Sequence, residues 1–313
     1  MRRNKVAVVL WLYHTDLANE FIDLLAPHQK YIDIFLGLCH DNANTEAESL
    51  FKYVFKDNLY IEYLPNGGTD ILPTLKLLEK CIDHYPIFFK LHSKYSPWGA
   101  LKQVNWRVIL LNDILYKNNF STTIKNLQTS SVGIVASKPF IMKNHEYTNS
   151  QNILELCSML NIDYTKLNTK SFIGGNIFAA KTTLFKPLLY NNAVYHKLSQ
   201  EVGAIKDDDG GKYVHSMERI FGYMAEYHNK KIIGAPYHSN IILSPNLKKH
   251  RLHLIKLYNK DCYIQENPNV YGSIISLDNS HMTIQWKNTD QYQIQSYKKH
   301  IKYFVNVKYY ADT

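Results

Sequence analysis

The stretch LYIEYLPNGGTDILPTLKLLEKCIDHYPIFFKLHSK, residues 59–94, reads as strand, turn, helix and strand in immediate succession. Residues 59–63 are strand-sized and rich in Tyr, Ile and Leu, and the Asn66-Gly67-Gly68 turn separates them from a helix. Helical spacing puts Leu75, Leu78 and Ile82 on one side of residues 70–84, and residues 86–91 supply a second apolar run. Strand, crossover helix and strand in this rhythm is the repeating unit of a parallel sheet with right-handed connections.

Towards the N-terminus the same rhythm repeats. Residues 5–13, KVAVVLWLY, form a continuous apolar strand of the kind buried on both faces. A helix follows, with Thr15 or Asp16 as its cap, Leu17, Phe21, Leu24 and Leu25 on one face and Pro27 at its end. Residues 31–39 make a second strand and residues 46–55 a short helix. Towards the C-terminus the reading gives a helix at 106–116, a strand at 132–136, a loop-rich stretch to about Asn168, and a strand at 172–180. Beyond it come a helix at 183–190, an acidic loop at Asp207-Asp208-Asp209 and a helix at 212–228.

From about Cys262 the pattern changes to period two. Met282, Ile284 and Trp286 alternate with Thr283, Gln285 and Lys287, and residues 277–280 make a turn. The expected organisation is an α/β core with a mostly parallel central sheet over residues 1–245. Residues 246–313 are expected to form a helical linker and a small antiparallel β appendage.

Composition narrows the function. The 313 residues carry a net charge of +9, mostly from lysine, which favours an anionic partner. The longest apolar runs fall far short of the roughly 20 residues that span a bilayer. The first strand is followed at once by His14, Asp16 and Glu20 rather than a cleavage site, so no export signal is expected. Cys39, Cys81, Cys157 and Cys262 are scattered without metal-ligand spacing, which fits reduced thiols and a cytoplasmic setting.

Ligands of parallel sheets sit at the carboxyl ends of the strands, so the residues just after each strand carry the chemistry. The Asn66-Gly67-Gly68-Thr69-Asp70 turn lets backbone approach a ligand and precedes a helix N-terminus suited to an anion. It is neither a dinucleotide fingerprint nor a Walker loop, and an ordinary capped turn explains it too. In Lys90-Leu91-His92-Ser93-Lys94, strand alternation points Lys90, His92 and Lys94 to one face, a candidate diphosphate clamp or an exposed basic strand end. Gly174-Gly175-Asn176 leaves room for a sugar or for close packing. Asp207, Asp208 and Asp209, with His215 and Glu218 beyond them, offer a general base or a solvated acidic loop.

Taken in order, five segments resemble the rhamnan synthesis F family of polysaccharide glycosyltransferases. They are VAVVLWLYHTDLANEF from residue 6, NGGTDILPTL from 66, FFKLHSKYSPWG from 88 running on to NWR at 105–107, FIGGNIFAAKTTLFKPLL from 172, and HSMERIFG from 215. The resemblance covers residues 5–222 and leaves the β-rich tail outside. It implies a GT-A-like nucleotide-sugar transferase core. On that comparison Tyr13 and Asp41 lie by the nucleotide base, and Asn66, Gly67 and Asp70 by the ribose and phosphates. Lys90, His92, Lys94 and Arg107 surround the diphosphate, and Gly174, Gly175 and Asn176 floor the sugar and acceptor site. The family's last motif has an aspartate five residues before the histidine. Here Gly210 holds that station and Asp209 stands one residue early, leaving the base open among Asp207, Asp208 and Asp209, with His215 or Glu218 able to share the role.

The resemblance further implies transfer of rhamnose or a similar deoxyhexose from a nucleoside-diphosphate donor, dTDP-rhamnose being favoured. The acceptor would be a hydroxyl of a growing, lipid-linked cell-surface glycan, as in O-antigen or cell-wall polysaccharides, and inversion is the expected outcome. Basic residues stand where many such enzymes place an Asp-x-Asp metal site, so metal-independent catalysis is expected. The Lys248-Lys249-His250-Arg251 run would suit the anionic inner face of the cell membrane, or a solvated helix face. Two other readings compete. A decayed transferase that binds glycan or nucleotide without turnover would keep sugar-nucleotide binding alone. A nucleic-acid binder would show steep salt dependence, but no arginine-rich or RNP-type motif supports it.

Overall fold

A computed structural model describes residues 5–42, 45–94, 106–143, 150–189, 191–201 and 212–235, together with three strands at 272–277, 281–286 and 292–296. The chain divides into two compact units, Met1–Lys94 with Asp113–Pro236, and Tyr95–Asn112 with Tyr237–Thr313.

The first unit is an α/β domain around one seven-stranded sheet. Its N-terminal half alternates β1 (Val6–Leu12), α1 (Ala18–Leu25), β2 (Ile32–Cys39), α2 (Thr45–Phe55), β3 (Leu59–Leu64), α3 (Ile71–Glu79) and β4 (Ile87–His92). These four strands are parallel, as their apolar runs and intervening helices predict. Every residue of β1, β2 and β4 is buried, the mark of strands covered on both faces. After α4 (Trp106–Leu115), of which residues 113–115 belong to this unit, and α5 (Asn118–Gln128) come β5 (Val132–Ser137), the short β6 (Ile141–Lys143), α6 (Ser150–Met159), β7 (Ser171–Ile173) and β8 (Phe178–Lys181). The unit closes with α7 (Lys186–Leu189), α8 (Asn192–Ser199), α9 (Tyr213–Tyr227) and β9 (Lys231–Ala235). The strand order is β3-β2-β1-β4-β8-β5-β9.

Three readings of the sequence are corrected. Residues 172–180 are not one strand: Gly175 and Asn176 take positive φ values of 83° and 58° and turn the chain between β7 and β8. β7 pairs with β6 outside the main sheet, and β8 enters that sheet antiparallel to both β4 and β5. The stretch expected to be loop holds α6, whose Ile153, Leu156 and Cys157 are buried. Neither Thr15 nor Asp16 caps α1; the chain enters it through a 3-10 turn, Thr15–Leu17, and leaves it through another, Ala26–Tyr31, which carries Pro27 in its first turn.

An aromatic cluster binds the face of the sheet that carries the site. Phe88 of β4, Phe178 of β8, Phe185 and Phe221 of α9 pack with ring centroids 5.0–6.2 Å apart. α9 also meets β7 backbone to backbone: a Cβ on Gly222 would collide with the Ser171 carbonyl oxygen. The Glu226 carboxylate accepts from the N–H groups of Asn168, Thr169 and Lys170 at 2.5, 2.7 and 2.9 Å. α9 is thereby fixed at its middle and its C-terminal turn. Its N-terminus is capped by Glu201, whose carboxylate accepts from the N–H groups of Tyr213 and Val214 at 2.7 and 2.9 Å.

In the second unit β10 (Gly272–Leu277), β11 (His281–Trp286) and β12 (Tyr292–Ser296) form the small antiparallel sheet that period-two alternation predicts. The turn at residues 278–280, Cys262 and the Lys248-Lys249-His250-Arg251 run lie outside the described residues. Cys39, Cys81 and Cys157 are buried free thiols, and burial pushes Cys81 and Cys157 up to about 12. No described helix is long and apolar enough to cross a membrane.

Candidate active site

The sheet runs outward from β1 to β2 and β3 on one side and to β4 on the other, so the order reverses between β1 and β4. Such a switch point opens a crevice at the carboxyl ends of the two strands. Ser93 bridges that crevice just past the strand ends. Its N–H donates to the Trp11 carbonyl at 2.9 Å, and its Oγ accepts from the His14 N–H at 2.7 Å.

Lys90 and His92 share the β4 face that carries Phe88, while Phe89 stacks on Phe120 of α5 on the other face. Both are buried, at 0% and 3% exposure. Asp70, at the start of α3, meets them. The Lys90 ammonium donates to Asp70 Oδ2 at 2.5 Å and to the Asn176 carbonyl at 3.0 Å. Asn176 Nδ2 donates to the same Oδ2 at 2.7 Å, and His92 Nδ1 lies 3.3 Å from it. Burial alone would raise the Asp70 carboxyl; His92, Lys90 and Lys94 overcome that and hold it far below the usual carboxylate range.

This arrangement revises two expectations. Lys90 is a buried strut bonded to Asp70, rather than an open phosphate clamp, because a lysine in a central strand needs an anion to compensate its desolvation. The glycine turn is likewise closed. Gly67 and Gly68 are buried, and their N–H groups donate to the carbonyls of Pro65 and Glu201 at 3.0 and 2.6 Å. Gly68 has φ 62°, which glycine takes without strain. Asp70 stands at the N-cap position of α3, yet its side chain makes no cap and serves Lys90 and Asn176 instead.

Gly174 and Gly175 sit buried beside this cluster in the turn that carries Asn176. A Cβ on Gly174 would meet Met142 Sδ at 2.7 Å, a contact that the flexible, exposed methionine side chain can relieve by shifting. On the β1 side, Tyr13 OH accepts from Asn66 Nδ2 at 3.5 Å, joining two of the residues expected at the nucleotide. Asp41 lies in the 3-10 turn after β2, exposed, with Cys39 Sγ 3.9 Å from its Oδ2.

From α9, Glu218 enters the same neighbourhood. Burial pushes its carboxyl above the ordinary value; Lys94, Arg219 and His215 pull against that, and Asp70 adds to it. Arg219 Nη1 lies 3.4 Å from Glu218 Oε2, donates to the His215 carbonyl at 2.5 Å, and its guanidinium stacks 4.5 Å from the Phe172 ring centroid. The sequence alone gives Glu201 no role, since nothing marks it as the cap of a helix twelve residues on, and Arg219 stands out only as the neighbour of Glu218 in HSMERIFG. Arg107 is buried on α4 and belongs to the second unit. Asp207, Asp208 and Asp209 lie outside the described residues. Among the described residues no three His, Cys, Asp or Glu side chains group so as to hold a metal ion.

Residues 1–230 match the family model for rhamnan synthesis protein F. The chain belongs to the rhamnan synthesis protein F family. No curated protein matches the sequence significantly. Membership ties the chain to rhamnan polysaccharide synthesis in a glycosyltransferase-type role, which in general requires a nucleotide-sugar donor and a glycan acceptor. The family match spans both β1 and α9, and so all described site residues, while β10–β12 fall beyond it.

Proposed function

We propose that this rhamnan synthesis protein F chain transfers rhamnose or a similar deoxyhexose from a nucleoside-diphosphate donor, dTDP-rhamnose being favoured, to a hydroxyl of a growing, lipid-linked glycan. The observation that carries the reading is the set of charges at the carboxyl end of β4. There Lys90, His92 and Lys94 meet Asp70 and Glu218 in a crevice at the sheet's switch point.

The donor lies with its base towards Tyr13 and Asp41, its ribose towards Asn66 and its diphosphate towards His92 and Lys94. Lys90 holds Asp70 and Asn176 in place beneath it, and the Asn176 turn floors the sugar. In a single in-line displacement the acceptor oxygen attacks the anomeric carbon from the face opposite the diphosphate, with inversion. Positive charge aimed at the departing diphosphate stabilises the transition state, the task a divalent cation performs where carboxylates occupy this station. The reaction is accordingly metal-independent. The protein works at the inner face of the cell membrane, where its acceptor is anchored, and its surplus of lysine suits an anionic surface.

The test is product formation. Purified protein given dTDP-rhamnose and a lipid-linked oligosaccharide should extend the glycan by deoxyhexose, with EDTA present. Release of no dTDP and no glycan extension across a panel of sugar nucleotides would refute the proposal.

A further inference from the structure

We infer that Glu218 is the catalytic residue that takes the proton from the acceptor hydroxyl, an inference that rests on the transferase reading above. Among the described residues two carboxylates reach the crevice with partial exposure, Asp70 at 16% and Glu218 at 18% of their side chains. Their surroundings differ. Asp70 Oδ2 is met by Lys90, Asn176 and His92, and Oδ1 by the Thr69 hydroxyl at 3.4 Å. A carboxylate so engaged stays ionised and is a poor proton acceptor.

Glu218 has a single hydrogen-bond partner among the described residues, Arg219 Nη1 at the loose distance of 3.4 Å. Its oxygens are therefore available to a hydroxyl. The charged groups facing it are Lys94 beyond β4, Asp70 at the start of α3, Lys90 on β4, and Arg219 and His215 on its own helix. Burial raises its basicity towards the working pH, while Asp70 is driven the other way. Two carboxylates pushed apart in this manner divide into a fixed anion and a proton carrier. α9 holds Glu218 rigidly, since Phe221, Gly222 and Glu226 on the following turns anchor the helix to β7 and β8.

The step balances without an added reagent. The Glu218 carboxylate takes the hydroxyl proton as the hydroxyl oxygen bonds to the anomeric carbon. The bond from that carbon to the diphosphate oxygen breaks, its electron pair leaves with the diphosphate, and Glu218 later passes its proton to water.

Glu218→Gln should lower kcat for glycan extension about 10²- to 10⁴-fold, while dTDP still raises the variant's melting temperature as it does the wild type's. The wild-type kcat should rise with pH through a limb above the ordinary carboxylate range, and the residual activity of E218Q should lack that limb. Glu218→Asp should recover part of the rate. Retention of more than a tenth of kcat by E218Q would overturn the inference alone, as would loss of dTDP stabilisation in step with activity. A wild-type chain that transfers no sugar overturns the transferase reading and this inference with it.

Discussion

The Lys90 ammonium lies 2.5 Å from Asp70 Oδ2 while Lys90 itself has no exposed surface, so the two form a buried ion pair at the carboxyl end of a central strand. Removing one member leaves the other uncompensated in a low-dielectric interior. Asp70→Ala should cost about 3–5 kcal/mol in urea unfolding. The double variant Asp70→Ala/Lys90→Met should recover a substantial part, because it removes the orphaned charge as well. Equal losses in the single and double variants would show that the pair is not what the site rests on.

Lys94 and His92 carry the charge argument for catalysis. Changing either to Ala should lower kcat/KM by about 10²- to 10³-fold, the scale of one preorganised electrostatic contact. The rate should be indifferent to EDTA and to added magnesium or manganese. Strict dependence on either ion would remove the basic cluster from the mechanism.

Gly222 is the point where α9 touches β7 without side chains between them. Gly222→Ala would drive a methyl group against the Ser171 carbonyl and the Phe172 backbone, and backbone cannot yield as a flexible side chain can. A loss of about 3 kcal/mol or more is expected in thermal or urea unfolding. Glycosyl transfer should fall with it, because the same contact sets the height of Glu218.

Glu226 holds the 168–170 turn through three backbone N–H groups, and Glu226→Gln should cost about 1–2 kcal/mol. Burial would raise this carboxyl, but the Thr169, Asn168 and Lys170 bonds outweigh it and depress it below its ordinary 4.5. Its contribution is thus present above about pH 4.5 and is lost as the pH falls through the lower folded-state value. The gap between wild type and E226Q should close on acidification.

Asp113, on the C-terminal half of α4, behaves in the opposite sense. Burial raises it to about 7, opposed by the Ser137 hydroxyl that donates to its Oδ2 at 2.5 Å. With the folded value above the unfolded one, ionisation destabilises the protein progressively as pH rises from about 4 to 7. Asp113→Asn keeps the volume and an acceptor for Ser137 without the charge. It should match the wild type only near pH 3.5, below both values, and exceed its melting temperature by a margin that grows up to about pH 7; a constant difference between pH 3.5 and 8 would contradict this assignment.

Much of this architecture is legible in the sequence, and the misses have identifiable causes. The strands β1 to β4 announce themselves because a strand covered on both faces is apolar throughout. β8 escapes because residues 172–180 are apolar on both sides of a turn, and only the left-handed backbone at Gly175 and Asn176 separates two strands there. α5 hides behind a polar sequence, although Phe120, Thr123 and Leu127 fall at helical spacing and are buried. The basic character of the β4 end can be read from alternation alone. That Asp70 and Asn176 would close on Lys90 could not be read, since those contacts span 20 and 86 residues.

The central claim is that a sugar nucleotide binds at the β1/β4 crevice through protein charge. Thermal unfolding with dTDP and dTDP-rhamnose, with and without EDTA, addresses it most directly, because a ligand bound only by the folded chain must raise the melting temperature. The account predicts a shift that EDTA leaves unchanged and that Lys94→Ala diminishes. No shift with any nucleoside diphosphate, or one that EDTA abolishes, would contradict it.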